Sequence, residues 1–190
     1  MAHAVSRLAR VAVVGVLVYH IAHLTHDGHA DNRADSATAD AADSRAEGPG
    51  RRIVVEAMAE RGVEYSWGGG TTTGKSRGIC CSPGGFDGRE TVGFDCSGLV
   101  LYAAFQATGG RIKLPRTAAE QVQHGIPVTR AQMRPGDLIG FDHRDGQGVT
   151  HIGIYIGHGQ MVNAPQTGDV VKISSLASRK NQRWTIRRLT

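Results

Sequence analysis

The stretch that decides the fold is Gly93-Phe94-Asp95-Cys96-Ser97-Gly98-Leu99-Val100-Leu101-Tyr102, where a glycine-bearing run gives way to an apolar one at a cysteine. From Ser97 to Thr108, Leu99, Val100, Ala103, Ala104 and Ala107 recur at helical spacing, and Gly109-Gly110 follows as a stop signal. The pattern predicts a helix with Cys96 in its first turn. Unpaired backbone N–H groups and the positive end of the macrodipole gather there, and both favour a thiolate over a thiol. With an imidazolium nearby, such surroundings bring a cysteine pKa from ~8.5 down to ~3.5–7.5. Cys96 is therefore a candidate nucleophile, against the ordinary reading of a free cysteine as a small buried hydrophobe.

On the N-terminal side, Tyr65-Ser66-Trp67-Gly68-Gly69-Gly70 places aromatics beside glycines that let the backbone turn or approach a ligand. Before it, Ile53, Val54, Ala57 and Met58 trace one face of a packing helix that ends at Gly62. Residues 71–92 form a long Gly, Thr, Ser and Pro insertion containing Cys80 and Cys81, a candidate rim or lid. Two spare thiols in an oxidising compartment pair. One expectation is that either cysteine bonds reversibly to Cys96 and holds it inactive. Residues 1–30 read as an export signal or weak anchor, with Arg7 and Arg10 ahead of a short apolar run. Residues 31–50 are Ala- and Asp-rich with no apolar period, which predicts a disordered linker.

On the C-terminal side, Thr117 and Glu120 are spaced as a capping box for a helix reaching Gly125. Arg134-Pro135-Gly136-Asp137 then marks a turn, and Leu138-Ile139-Gly140-Phe141 a strand. His151-Ile152-Gly153-Ile154-Tyr155-Ile156 alternates, sending three isoleucines to one face and His151, Gly153 and Tyr155 to the other. A three-residue loop at Gly157-His158-Gly159 would pair odd positions with odd across the hairpin, so that His151 and Asn163 share a face. Two more strands follow at 170–173 and 184–188. Helices first and an antiparallel meander afterwards make an α+β domain over residues 51–190.

The chain is 190 residues long and carries 26 glycines with only 5% aromatics, which favours turns and short strands over a helical bundle. Residues 1–50 hold four Arg against six acids, so the overall +5 leaves +7 on the remainder. A basic body suits an anionic partner such as wall polymer or a membrane surface. No RNA-binding signature or zinc-finger spacing is present, and no nucleic-acid partner is expected.

A thiol nucleophile needs a base within hydrogen-bond reach and a third group to orient that base. Cys96, His151 and Asn163 supply the three. Together with Tyr65-Ser66-Trp67-Gly68-Gly69, Phe94-Asp95-Cys96-Ser97-Gly98-Leu99, Leu114-Pro115-Arg116-Thr117, Arg134-Pro135-Gly136-Asp137-Leu138, His151-Ile152-Gly153-Ile154-Tyr155-Ile156-Gly157 and Asn163-Ala164-Pro165, the chain resembles the NlpC/p60 family of bacterial cell-wall cysteine peptidases. The resemblance covers about residues 53–176. It implies a papain-like fold and hydrolysis of peptidoglycan stem peptides, typically between γ-D-glutamate and the diamino acid. By the same resemblance Cys96 is the nucleophile, His151 the base and then the acid, and Asn163 the orienting residue where many relatives carry His. Tyr65, Asp95 and Ser97 match positions lining the substrate site. No metal or organic cofactor is called for. A secreted monomer is expected, touching membrane only if the N-terminal segment stays uncleaved. The rival readings are a papain-like amidase or acyltransferase on another amide or lipid, and a non-catalytic wall-binding module.

Overall fold

The computed structural model describes residues 48–142 and 148–190. The export segment and nearly all of the linker expected before residue 51 lie outside the described residues. Among the described residues no helix is long and apolar enough to cross a membrane. Helix α1 (Pro49–Ala59) begins on a proline, whose missing N–H costs nothing in a first turn, and buries Ile53 and Ala57. Helix α2 (Cys96–Ala107) is the central one, with Leu99, Val100, Ala103 and Ala104 wholly buried. The backbone of Gly69 crosses so close that a Cβ on Gly98 would sit 2.1 Å from the Gly69 carbonyl oxygen, so only glycine fits there.

Helix α3 (Ala118–Gln121) has the expected Thr117–Glu120 capping box but is a single turn, shorter than the pattern predicts. Beyond it the turn tightens, the Gln123 and His124 N–H groups bonding three residues back to the Glu120 and Gln121 carbonyls, and Gly125 at positive φ sends the chain out as strand β3 (Ile126–Pro127) to pair with β8 (Arg183–Arg188). The other long-sheet strands are β4 (Leu138–Asp142), β5 (Val149–Gly157), β6 (Gln160–Asn163) and β7 (Lys172–Ser175). Strand β7 lies two residues later than the sequence pattern suggests. The six form one sheet in the order β3-β8-β4-β5-β6-β7, every neighbour antiparallel. Asp137, 1% exposed, accepts both guanidinium contacts of Arg188 at 2.8 Å and the Arg134 backbone N–H, clamping β8 to the turn before β4.

One sheet face packs on the helices: Leu138, Ile152, Ile154 and Val162 join Ile53, Leu99 and Val100 in the main core. The opposite face carries a second cluster of Ile139, Phe141, Met161, Leu176 and Ile186. Burying each isoleucine contributes roughly 1.5–3 kcal/mol, and this fixes which face of β5 turns inward. The hairpin between β5 and β6 differs from the expected one. Its turn has two residues, His158 and Gly159, both at positive φ, and Gly157 pairs with Gln160. That turn alone would match odd positions with even. Ile156 is an extra residue opposite the β6 ladder, so pairing resumes as Tyr155 with Met161 and Ile154 with Val162. The bulge restores the parity, and His151 and Asn163 share a face by a different route from the predicted one. A second bulge, at Thr150, falls between the Phe141–His151 and Asp142–Val149 pairs.

The insertion at 71–92 is tied down rather than loose. Strands β1 (Ser76–Arg77) and β2 (Val92–Gly93) pair, Ile79 donates its N–H to the Trp67 carbonyl, and the Ser66 hydroxyl lies within reach of the Gly88 and Thr91 carbonyls. Cys80 and Cys81 are bonded to each other and Cys96 is free. Neither is bonded to Cys96 in this structure.

Candidate active site

Asp95 caps α2 and organises the turn that presents Cys96. Its Oδ1 accepts from the Gly98 N–H at 2.6 Å, the Ser97 hydroxyl at 3.1 Å and Arg116 at 2.9 Å. Its Oδ2 accepts from the Gly68 N–H at 3.0 Å and from Arg116 at 2.8 Å. Arg116 donates further to the Gly69 carbonyl and the Ser97 hydroxyl, both at 2.9 Å. Helix start, glycine run and the Leu114-Pro115-Arg116-Thr117 segment are thus fastened together at one carboxylate.

Cys96 is 9% exposed, and the backbone N–H groups of Ser97 and of Ile152, the residue directly after His151, act on its thiol. The helix start and strand β5 therefore meet at the sulfur. Burial, followed by the charge of Asp95, pushes the thiol up to about 12, while the two N–H groups and Arg116 pull it down. At this thiol, burial outweighs the helix N-terminus. The resting group is a thiol that needs a base. Tyr65, 8% exposed, is held above the usual phenol range by burial first, then by the charges of Cys96 and Asp95, so it stays a hydrogen-bond donor beside the sulfur.

His151 is 7% exposed, with its ring centre 5.9 Å from that of Phe141, its cross-strand partner on β4. Asn163 Nδ2 lies 2.9 Å from His151 Nε2, and the Ser174 hydroxyl donates to Asn163 Oδ1 at 2.8 Å. The two ends of a carboxamide have the same shape, and a hydroxyl accepts as readily as it donates. With the amide turned over, Oδ1 accepts from Nε2–H, Ser174 accepts from Nδ2, and Nδ1 is left as the basic atom of the ring. Gly153 leaves room for this pair, since a Cβ there would lie 2.7 Å from Met161 Sδ and 3.3 Å from Asn163 Cβ. Losing a hydrogen bond to an imidazolium costs roughly 1.5–3 kcal/mol. Asn163→Ala is accordingly expected to lower kcat about 10- to 150-fold with little change in KM, and Ser174→Ala to lower it about 2- to 10-fold, checked by steady-state kinetics on a soluble stem peptide.

Cys96 and His151 line one groove of about 1030 Å³. Trp67, Ile79, Pro83 and Phe86 form its insertion-side wall, and Tyr65, Asp95, Ser97 and Arg116 also reach it. Arg179 lines the same groove. All three candidate triad residues and all three candidate substrate-site residues are thus gathered in or directly behind one cavity. Sequence reasoning missed three participants. Arg116 stood within a quoted motif but was read as a helix lead-in. Ser174 and Arg179 sit in a short strand and a 3-10 turn that carry no periodic signal. Among the described residues, Cys80, Cys81 and Asp87 are close enough to suggest a metal site, but the two sulfurs share a disulfide and Asp87 pairs with Arg89 at 2.6 Å.

A family model described as NlpC/P60 matches residues 62–190. The chain belongs to the NlpC/P60 family. The α+β architecture expected from the resemblance is the one observed. The chain is 43% identical over 122 residues to the peptidoglycan endopeptidase RipA of Mycolicibacterium smegmatis, covering 64% of this chain and 22% of that protein. It is 38% identical over 117 residues to the probable endopeptidase p60 of Listeria innocua, covering 61% of this chain and 20% of the relative. The chain thus spans about a fifth of these curated relatives. Among solved structures, the peptidoglycan hydrolase RipB of Mycobacterium tuberculosis superposes with a TM-score of 0.62 at 34% identity, covering 78% of this chain and 67% of that one. RipD of the same organism, described as a non-catalytic NlpC/p60 domain protein adapted to peptidoglycan binding, gives 0.62 at 32% identity, covering 76% and 99%.

Proposed function

We propose that this NlpC/P60 domain is a cysteine peptidase that hydrolyses an amide bond of peptidoglycan stem peptides, the γ-D-glutamyl–diamino acid bond, outside the cell. One observation carries the reading: Cys96 and His151 line the same groove, with a carboxamide 2.9 Å from one ring nitrogen of the imidazole. His151 takes the Cys96 proton as sulfur attacks the peptide carbonyl. The oxyanion forms against the Cys96 backbone N–H and the Tyr65 hydroxyl, donors of a kind worth about 2.7–4 kcal/mol each in a preorganised site. His151 then hands the proton to the departing amine, and a thioester remains. Water, deprotonated by His151, cleaves the thioester and restores the thiol. Asn163 holds the ring throughout. Asp95 and Ser97 support the substrate site by fixing Arg116 and the helix turn, while Tyr65 touches the substrate. A monomer suffices, since one chain supplies every group.

The likeness to RipD makes a wall-binding module the second reading. What favours catalysis is that thiol and imidazole line one groove and the carboxamide stands against the imidazole. Purified muropeptides incubated with the parent and with Cys96→Ala, then separated by mass spectrometry, discriminate. Cleavage by the parent alone, with sedimentation on wall sacculi retained by both, supports the peptidase. Binding without cleavage by the parent supports the module, and neither binding nor cleavage supports an amidase or acyltransferase on another substrate.

A further inference from the structure

The insertion at 71–92 gives the groove a wall that the proposed reaction leaves unused. Five large hydrophobic residues are exposed among the described residues, and two of them, Ile79 at 58% and Phe86 at 57%, line the groove beside Trp67. A small hairpin fixes both in place. The Gly88 N–H donates to the Ile79 carbonyl at 3.0 Å, and the Ser82 N–H donates to the Phe86 carbonyl at 2.9 Å. The Ser82 hydroxyl accepts from the Phe86 N–H at 3.1 Å. The Gly84 backbone lies against the aromatic ring, since a Cβ there would stand 3.5 Å from Phe86 Cδ2 and Cε2. Ile79 packs on Gly68, where a Cβ would come within 2.6 Å of Ile79 Cγ1. Exposed apolar groups gathered at a groove and rimmed by polar ones mark a contact surface. Because the hairpin already holds them, a ligand meeting them loses little free energy to ordering.

The neighbouring side chains show what kind of ligand fits. The turn after β6 brings Gln166 and Thr167 to the same groove, and the Asp169 carbonyl in that turn accepts the Tyr65 N–H at 2.8 Å. Neither Gln166 nor Thr167 makes a side-chain hydrogen bond within the described residues. An apolar plate beside uncommitted polar side chains complements a pyranose ring. Axial C–H groups give such a ring an apolar face that rests on the negative face of an aromatic, while hydroxyl and acetamido groups point outward around its edge. A lipid chain would use the plate and leave the polar groups idle. Position agrees with chemistry. His151 passes its proton to the departing amine, so the amine leaves towards β5 and the acyl part of the substrate lies over the helix start, towards Trp67 and the insertion. In a stem peptide that acyl part is γ-D-Glu preceded by L-Ala, whose nitrogen carries the lactyl group of the muramic sugar. Three such units span roughly 10 Å at ~3.3–3.6 Å each. That length carries the sugar past the neighbours of the sulfur to the outer wall.

We propose that the insertion is a carbohydrate-binding wall: Phe86 stacks on the N-acetylmuramic ring, with Gln166 and Thr167 at its edge, and the chain thereby selects glycan-linked stem peptides over free ones. The inference rests on the peptidase reading above. Its test compares L-Ala-γ-D-Glu-diamino acid peptides with and without N-acetylmuramic acid on the alanine, each prepared with diaminopimelate and with lysine. For the parent, Phe86→Ala and Phe86→Trp, kcat/KM is measured on all four. The parent is expected to favour the muramyl form about 5- to 50-fold. In Phe86→Ala that preference falls towards one, with the loss confined to the muramyl peptides and expressed in KM, because the sugar is remote from the reacting bond. Unchanged rates on the sugar-free peptides show that this variant is folded. Phe86→Trp, which keeps an aromatic face, retains the preference. A parent indifferent to the sugar, a Phe86→Ala that keeps the parent's preference, or one whose rates on all peptides fall together overturns the carbohydrate wall and leaves the peptidase reading standing. A parent that cleaves none of the four overturns both.

Discussion

Replacing His151 with Ala is expected to reduce stem-peptide hydrolysis by at least about 10³-fold and to change how Cys96 responds to pH. In the proposed reaction the nucleophile is a buried thiol that desolvation and Asp95 hold well above the ordinary cysteine value, so without a base little of it is ionised at pH 7. The two backbone N–H groups acting on the thiol and the Arg116 charge lower its pKa, but less than burial and Asp95 raise it. Attack at neutral pH therefore depends on proton transfer to the imidazole as the bond forms. Alkylation by iodoacetamide reads this directly, since the thiolate reacts and the thiol does not. In the parent, alkylation should reach a plateau near neutral pH, where a neutral His151 takes the thiol proton as the bond to the reagent forms. In His151→Ala the rate should instead climb about tenfold per pH unit into the alkaline range, towards the pKa of the isolated thiol. A variant that retained the parent's neutral plateau would show that His151 is not the base.

The second large effect is structural. Asp95→Ala is expected to lower stability by about 3 kcal/mol and to abolish activity. The substitution removes the N-cap of α2, worth ~1–2 kcal/mol, and strands Arg116, whose partner Asp95 is 11% exposed while its own side chain is 37% exposed. Partial exposure of the arginine moderates the second term, because water reaches part of the unpaired charge. The melting temperature should fall by roughly 10 °C, measured by calorimetry. Asp95→Asn separates cap from charge. Asparagine still caps a helix, so most of the stability returns. Loss of the negative charge removes one of the influences that raise Cys96, so alkylation of the Asp95→Asn thiol should move to lower pH than in the parent. An unchanged melting temperature in Asp95→Ala would mean that the five contacts at this carboxylate contribute nothing.

The parts of the molecule that follow local rules were legible in the sequence. The helix at Cys96 was marked by its apolar spacing, the Thr117–Glu120 box by its cap residues, and the inward face of β5 by its isoleucines. The three triad candidates were legible because nucleophile, base and orienting amide each stand near an end of a recognisable element. What was hidden depends on contacts between distant segments. The burial of Cys96 was not legible because the helix N-terminus is a local feature, whereas the desolvation that opposes it comes from segments distant in the chain. The length of α3 was overestimated because the residues after Gly125 pair with β8, the last strand, a contact between distant segments. Ser174 and Arg179 became visible only once β7 and the turn after it folded back beside β4 and β6. The two bulges left no mark on composition, since Thr150 and Ile156 are ordinary strand residues.

The extra residue at Ile156 makes this hairpin intolerant of single-residue length changes. Deleting one residue there, or adding one to the His158-Gly159 turn, rotates the whole of β6 by half a revolution and swaps Asn163 and Met161 for Val162. A change of two residues leaves the orientation intact. Length variation in this hairpin is therefore admissible only in even steps, and a homologous hairpin differing by one residue must carry a compensating insertion or deletion to keep a polar group behind the imidazole.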